Sequence, residues 1–169
     1  MTFVHPTAVV EDDVVLGDEV RVWHFVHIRR GARLGDRTQV GKSCYVDADV
    51  QIGAGCKIQN FVSLYQGVTL EDDVFVGPSV TFTNDLRPRA FGSWECVPTV
   101  VRKGAALGAN STVVCGNEIG QYAMVAAGSV VTHSVGDYEL VAGVPARRIG
   151  FVCRCGRSVT EPGDGCSHS

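Results

Sequence analysis

An aliphatic or aromatic side chain recurs every six positions along most of this chain, a period that neither a helix nor an ordinary long strand can use. The series runs Val4, Val10, Leu16, Val22, Ile28, Leu34, Val40, Val46, Ile52, Ile58, Leu64, Leu70, Val76 and Phe82. It resumes in a shifted phase at Val101, Leu107, Val113, Ile119, Val125 and Val131. Self-similarity at a fixed short period marks a solenoid. A second, smaller series stands four positions after the first: Ala8, Val14, Val20, Val26, Ala32, Thr38, Cys44, Val50, Cys56, Val62, Val68, Val74 and Val80. Two inward positions per six, one large and one small, separated by turns, predict a three-sided prism of short parallel strands. The 3.6-residue period of a helix is excluded over residues 4–134. Glycine often follows the large residue, as at Gly35, Gly53 and Gly108, and is read as giving the backbone room to turn.

Composition narrows the class without fixing it. The 169 residues suit one domain, and 45% hydrophobic residues, spread thinly through the repeat, fill a narrow core without forming a membrane-spanning run. The N-terminal Met1-Thr-Phe-Val-His-Pro6 lacks a basic region followed by an apolar segment, so the expectation is a soluble cytoplasmic protein. Seven cysteines, an odd number, fit reduced thiols better than a disulfide framework. A net charge of −3 offers no broad basic surface for nucleic acid. Locally, Arg29, Arg30, Arg33, Arg37 and Lys42 crowd a third of the 15 basic residues into one stretch. That stretch reads either as a solvated face or as a site for a phosphorylated ligand.

The six-residue pattern resembles that of the hexapeptide-repeat acyltransferases, over roughly residues 4–150. The resemblance implies an all-β, left-handed parallel β-helix solenoid with one long loop and three hexads per coil, in homotrimers that hold acetyl-CoA between neighbouring prisms. The handedness comes from the resemblance, since parallel crossovers are otherwise right-handed. The division expected is a β-helix over 1–134 with an active-site loop at 83–100, a coil exit over 135–151, and a flexible cysteine-containing tail over 152–169. The exit segment Ala142-Gly-Val-Pro-Ala-Arg-Arg-Ile-Gly150 looks like that of CoA-dependent members. By resemblance, Gly108, Ala109, Ala126, Ala127, Gly143, Arg147 and Arg148 contact the cofactor, the two arginines meeting its phosphates.

The interruption from Phe82 to Val101 is where function is expected. Phe82-Thr-Asn-Asp-Leu-Arg-Pro-Arg89 resembles N-acetyltransferases of nucleotide-linked 3-amino sugars. So do Val22-Trp-His-Phe-Val-His-Ile28, Lys57-Ile-Gln-Asn-Phe-Val-Ser-Leu-Tyr-Gln-Gly67 and Asn110-Ser-Thr-Val-Val-Cys-Gly116. Two acceptor classes stay open, a UDP-linked 2-acetamido-3-amino glucuronate and a dTDP-linked 3-amino-3,6-dideoxyhexose, with Asp85 closer to the second. In a prism of three hexads per coil, Asp12, Arg30, Ala48, Gln66 and Asn84 share a corner column. Cys115 and His133 extend it if the length beyond the expected phase simply loops out. Asn84 to Arg30 then spans three coils, roughly 14 Å at the usual strand spacing, the reach from a sugar to its diphosphate.

Asn84 is the candidate catalytic residue. Its amide oxygen accepts a hydrogen bond from the attacking amine, although an amide is no general base. The resemblance implies direct attack on a thioester, with no metal required and a backbone N–H stabilising the oxyanion. Asp85, Arg89, Gln66, Arg30, His24 and Asn60 are the candidate acceptor-binding residues. Competing readings are an O-acetyltransferase with His24, His27 or His133 as base, a zinc carbonic anhydrase, and a purely structural solenoid. Cys153, Cys155, Cys166 and His168 are zinc-type ligands at an unusual spacing, set among serine, glycine and proline that favour a flexible tail.

Overall fold

The computed structural model describes residues 1–162 and 166. The chain winds as a parallel β-solenoid in which each coil gives one two- or three-residue strand to each of three sheets. Among the described residues sheet I has ten strands, sheet II seven and sheet III six; each collects every third strand of the winding, and sheet I adds the last three strands of the chain in succession. Successive coils stack at a sequence separation of 18, which pairs Phe3 with Arg21 and Val9 with His27. Across the interruption the partners are 31 apart, Phe82 facing Val113 and Leu70 facing Val101. The excess of 13 over one coil is the looped-out length, and it agrees with the one-residue phase shift because 13 is two hexads plus one. Among the described residues there is no helix long and apolar enough to cross a membrane.

Both inward series form the core. Val22, Ile28, Val46, Leu64, Val76 and Phe82 are fully buried, as are Val20, Ala32, Val50, Cys56 and Val80 from the smaller series. The first coil lies open at the end of the prism, leaving the inward Val4 exposed and Val10 only partly buried. Burial pushes the Cys44 and Cys56 thiols up to about 11. They donate to the carbonyls of Gln59 and Glu71 and act as small core residues.

The turning residue is not the glycine expected. The backbone turns three positions past most of the large aliphatic side chains, where φ is positive whether the residue is Gly31 (φ 74), Asp49 (φ 61), Phe61 (φ 62) or Tyr122 (φ 53). The glycine just after the aliphatic residue serves close approach instead. A Cβ at Gly53 would lie 2.6 Å from the Asp72 backbone nitrogen, and one at Gly108 would lie 2.5 Å from that of Ala127.

Beyond the last coil, the strand Glu139–Gly143 extends sheet I in parallel and then reverses at a cis Val144–Pro145 bond. The strand Ala146–Val152 returns antiparallel to it, and Ser158–Val159 pairs antiparallel with Phe151 and Val152. The stretch expected to be a free tail from residue 152 therefore begins as a hairpin folded on the end of the prism. His168 lies outside the described residues.

Candidate functional site

Most coil corners present an outward backbone N–H two positions past the aliphatic side chain, Pro6 and Pro78 being exceptions, and several of these groups are capped by side chains. Carboxylates and amides on neighbouring coils accept them: Asp36 from Asp18, Asn60 from Lys42, Asp72 from Ala54, Glu11 from Arg30 and Glu71 from Lys103. Where the capping position holds a residue without a suitable oxygen, the corner is open to a ligand.

The corner between sheets II and III carries the column read from the sequence. The registers of the flanking strands stack Arg30, Ala48, Gln66, Asn84 and Cys115. Asn84 is half-buried where the loop leaves the prism, and its carbonyl accepts the Val97 N–H at 2.9 Å, closing the loop's neck. Asp85 accepts the Arg87 N–H at 2.7 Å, which sets the first bend. Arg89 is exposed and donates to the Pro88 carbonyl. The loop tip carries Leu86, Phe91 and Trp94, all exposed in the single chain.

Beneath Asn84 lies a charged cluster that sequence reasoning missed. Asp47 is 9% exposed, and its Oδ1 accepts from the Ala48 N–H, the Tyr45 hydroxyl and the Arg29 guanidinium at 2.8, 3.1 and 3.0 Å. Its Oδ2 accepts the Gln66 N–H at 3.2 Å. Burial alone would raise the Asp47 carboxyl, but the hydrogen bonds from Ala48, Gln66, Tyr45 and Arg29 outweigh it and hold the group below its ordinary value. Arg29 reaches on to Glu11, which also meets the His27 ring at 2.8 Å. The Gln66 carbonyl in turn accepts the Cys96 thiol at 3.2 Å, tying the returning limb of the loop to this cluster. The signal available in the sequence was the run Glu11, Arg29, Asp47 at one-coil spacing, opposite charges alternating up one column.

The corner between sheets I and II is different in kind. At its lower end Trp23, His24, Lys42 and Asn60 line a shallow pocket, with the His24 ring stacked 3.5 Å from that of His5. Higher up, Phe75, Ala106, Gly108, Met124, Ala126 and Ala127 line an apolar groove. Ala127 has no oxygen to offer the Ala109 N–H, as Asn60 offers one to Lys42 lower on the same edge, so this stretch exposes backbone donors above an apolar floor. The sheet I column beneath it runs from Phe75 through Ala106 and Met124 to Leu140, steps of one coil each. Gly143 meets the same edge, its N–H donating to the Ser129 hydroxyl at 3.2 Å, whereas Arg147 and Arg148 line a separate pocket with His133, Ser134 and Val135. Arg148 is engaged by Glu139 at 3.1 Å and stacks on Phe151, while Arg147 is exposed and donates to the neighbouring Ala146 carbonyl.

The candidate residues thus fall into two sets on two edges of the prism. Arg30, Gln66, Asn84, Asp85 and Arg89 belong to the II/III edge, and Gly108, Ala109, Ala126 and Ala127 to the I/II edge. His24 and Asn60, grouped with the first set from sequence, stand on the second edge. The three candidate base histidines do not converge either: His24 is on the I/II edge, His27 is against Glu11 on sheet II, and His133 bonds Thr132 two coils past Asn84.

Comparison with known proteins gives a consistent picture. The repeat family described as bacterial transferase hexapeptide (six repeats) matches residues 31–64 and 49–84, and the hexapeptide repeat of succinyl-transferase matches 98–133. The dTDP-3-amino-3,6-dideoxy-alpha-D-galactopyranose 3-N-acetyltransferase of Aneurinibacillus thermoaerophilus is 53% identical over 159 residues, covering 90% of this chain and 80% of that protein. Serine acetyltransferase 4 of Arabidopsis thaliana is 48% identical over 61 residues, 36% of this chain and 17% of its own length, a likeness of repeats. A hexapeptide-repeat acetyltransferase from Vibrio cholerae O1 biovar eltor, solved with acetyl coenzyme A, superposes with a TM-score of 0.65 at 28% identity, covering 78% of this chain and 72% of that one.

Proposed function

This chain belongs to the hexapeptide-repeat transferases, and from that premise we propose that it moves an acetyl group from acetyl-CoA to the C3 amine of a dTDP-linked 3-amino-3,6-dideoxy sugar. The observation that carries the reading is the 53% identity to an enzyme of that name over 90% of the chain, loop and exit included. It favours the dTDP branch over the UDP-linked glucuronate.

The apolar groove on sheet I suits the pantetheine arm of acetyl-CoA. Three coil steps along that column make about 14 Å, and Arg147 on the exit strand meets the nucleotide phosphates. Asn84 receives the acceptor. Its amide oxygen takes a hydrogen bond from the neutral sugar amine and points the nitrogen lone pair at the thioester carbon. The new C–N bond forms as the carbonyl oxygen becomes an oxyanion, which a backbone N–H of an uncapped corner stabilises. Collapse breaks the C–S bond, and the surplus amine proton passes to the departing sulfur, giving CoA thiol. A thioester is already activated, so positioning of the two reactants supplies most of the acceleration and the step calls on no metal.

Because Asn84 and the groove occupy different edges, the working site joins one protomer's Asn84 to a neighbour's groove, in a homotrimer of parallel prisms. Leu86, Phe91 and Trp94 at the loop tip are then covered by the acceptor or the neighbour. Acetyl-CoA and nucleotide sugars are cytoplasmic metabolites, which is where this enzyme works.

The test is release of CoA thiol with the dTDP-linked amino sugar, with the UDP-linked amino glucuronate run in parallel. Turnover confined to the second substrate, or to neither, overturns the acceptor. Asn84→Ala should lower kcat about a hundredfold with acetyl-CoA affinity unchanged, the size expected when a reacting group loses its orientation. An unchanged kcat removes Asn84 from the mechanism.

A further inference from the structure

Three cysteine sulfurs converge at the C-terminal hairpin, and none of them belongs to either set of candidate site residues. The Sγ atoms of Cys153, Cys155 and Cys166 all lie within 4.8 Å of one another, and the Cys153–Cys155 pair is 3.0 Å apart. We infer that these three cysteines bind a zinc ion that fixes the hairpin against the last coils of the prism. Tetrahedral zinc with thiolate ligands at about 2.3 Å sets its sulfurs about 3.8 Å apart, so the observed cluster needs to adjust by only about 1 Å. Thiolates are soft donors that favour zinc over the harder divalent ions.

The local backbone is built as a ligand-bearing turn. Cys153 follows the strand Ala146–Val152, and its N–H donates to the Arg157 carbonyl, while the Gly156 N–H returns to the Cys153 carbonyl, both at 2.9 Å. Gly156 has φ 82, and a Cβ there would come within 2.9 Å of the Met124 methyl, so the turn is pressed onto the prism. Cys166 comes back to this turn from beyond the strand Ser158–Val159. That two-residue strand has little apolar surface to hold it, and small units of this kind are held by disulfides or metals. The contrast with Cys44 and Cys56 is informative: those thiols are singly buried in the coil core, whereas these three meet.

Binding converts three thiols to thiolates, releasing their protons to solvent, and leaves one position of the tetrahedron to a donor outside the three. The resulting net charge of −1 sits between Arg154 and Arg157 in sequence, and the Arg154 guanidinium is anchored 5.0 Å over the Tyr122 ring. The ion is structural. Its link to function rests on the activity proposed above. The strand that leads into Cys153 carries Arg147 and Arg148, and the Gly156 turn presses on Met124, which lines the proposed cofactor groove.

The test uses the full chain purified without a histidine tag under reducing conditions. Zinc content is measured for the wild type and for Cys155→Ser and Cys166→Ser, with thiol titration before and after chelation. Cobalt substitution adds a spectroscopic readout, a thiolate-to-metal charge-transfer band. One zinc per chain is expected in the wild type and none in either variant, with chelation exposing Cys155 and Cys166 to the thiol reagent and lowering Tm. Wild-type protein without zinc or a cobalt–thiolate band, its thiols free or paired as a disulfide, overturns the site, as does full zinc retention in both variants. The KM for acetyl-CoA should rise about tenfold on metal loss while kcat holds, and an unchanged KM severs the link to the cofactor groove. Absence of any turnover would count against the proposed activity and leave the metal stoichiometry to decide the site independently.

Discussion

Replacing Asp47 by asparagine separates charge from shape at the cluster beneath Asn84. The carboxylate takes three donors on Oδ1 and a fourth on Oδ2. An asparagine that keeps its oxygen toward Ala48, Tyr45 and Arg29 turns its NH2 group against the Gln66 N–H; the flipped amide opposes the other three donors. Either way at least one half-buried donor is orphaned, at a cost of about 1–3 kcal/mol. The lost charge on Arg29, whose side chain is 36% exposed, adds little because solvent screens it. A loss of roughly 1–3 kcal/mol lowers Tm by about 3–9 °C in a domain of this size. Melting curves at one fixed protomer concentration measure it. Gln66 also holds Cys96 of the returning loop, so kcat should fall with stability. The pH dependence adds a check of sign. The folded carboxyl is depressed, so its contribution is fully present above the ordinary Asp value near 3.9 and is lost as pH falls through the folded value. The gap between wild type and variant should therefore be flat at neutral pH and narrow only in acid. An Asp47→Asn protein within about 1 °C of wild type and equally active would refute this account of the cluster.

Phe82→Ala empties a fully buried site in the strand where the loop departs and should cost about 3–5 kcal/mol, read from the denaturation midpoint. Arg147→Ala should raise the KM for acetyl-CoA at constant kcat, and Arg148→Ala should do so less because Glu139 already engages that side chain. An effect of Arg147→Ala on the amino sugar alone would relocate the cofactor. Refolding equal amounts of Asn84→Ala and Arg147→Ala chains together should restore about a quarter of wild-type activity at limiting acetyl-CoA, the fraction of randomly assembled interfaces with both halves intact. No recovery would mean that one chain supplies the whole site.

The solenoid was legible because its physics is one-dimensional. Each coil buries its inward pair against the coil below, so the six-residue beat is the core written out directly, and the interruption shows as a one-residue phase shift, the remainder of the 13-residue excess after whole hexads. The role of the repeat glycines was misjudged for a related reason. The period tells which positions are special but not whether a position needs positive φ or merely the absence of a Cβ, and Phe61 at φ 62 shows how far the turn tolerates bulk. The hairpin at the C-terminus was hidden because Cys153-Arg-Cys155-Gly carries no repeat signal, and its strands are defined by pairing with the exit segment.

Site legibility follows the same division. The column leading to Asn84 could be drawn from spacing alone, since residues one coil apart stack wherever strand register holds. What spacing cannot say is which of three prism edges faces a given partner. His24 and Asn60 come from motifs that look continuous with the Asn84 set, yet the winding delivers them to another edge, beneath the apolar groove. The consequence is mechanistic. On the proposed reading, a site that joins Asn84 on one edge to an acetyl donor on another gains its precision from the contact between prisms, and apolar loop residues such as Trp94 then matter to catalysis through the geometry they seal. Shortening the loop between Leu86 and Glu95 should then abolish turnover and loosen subunit association together, while the coil core, whose buried series lies wholly inside each prism, keeps its own folding transition.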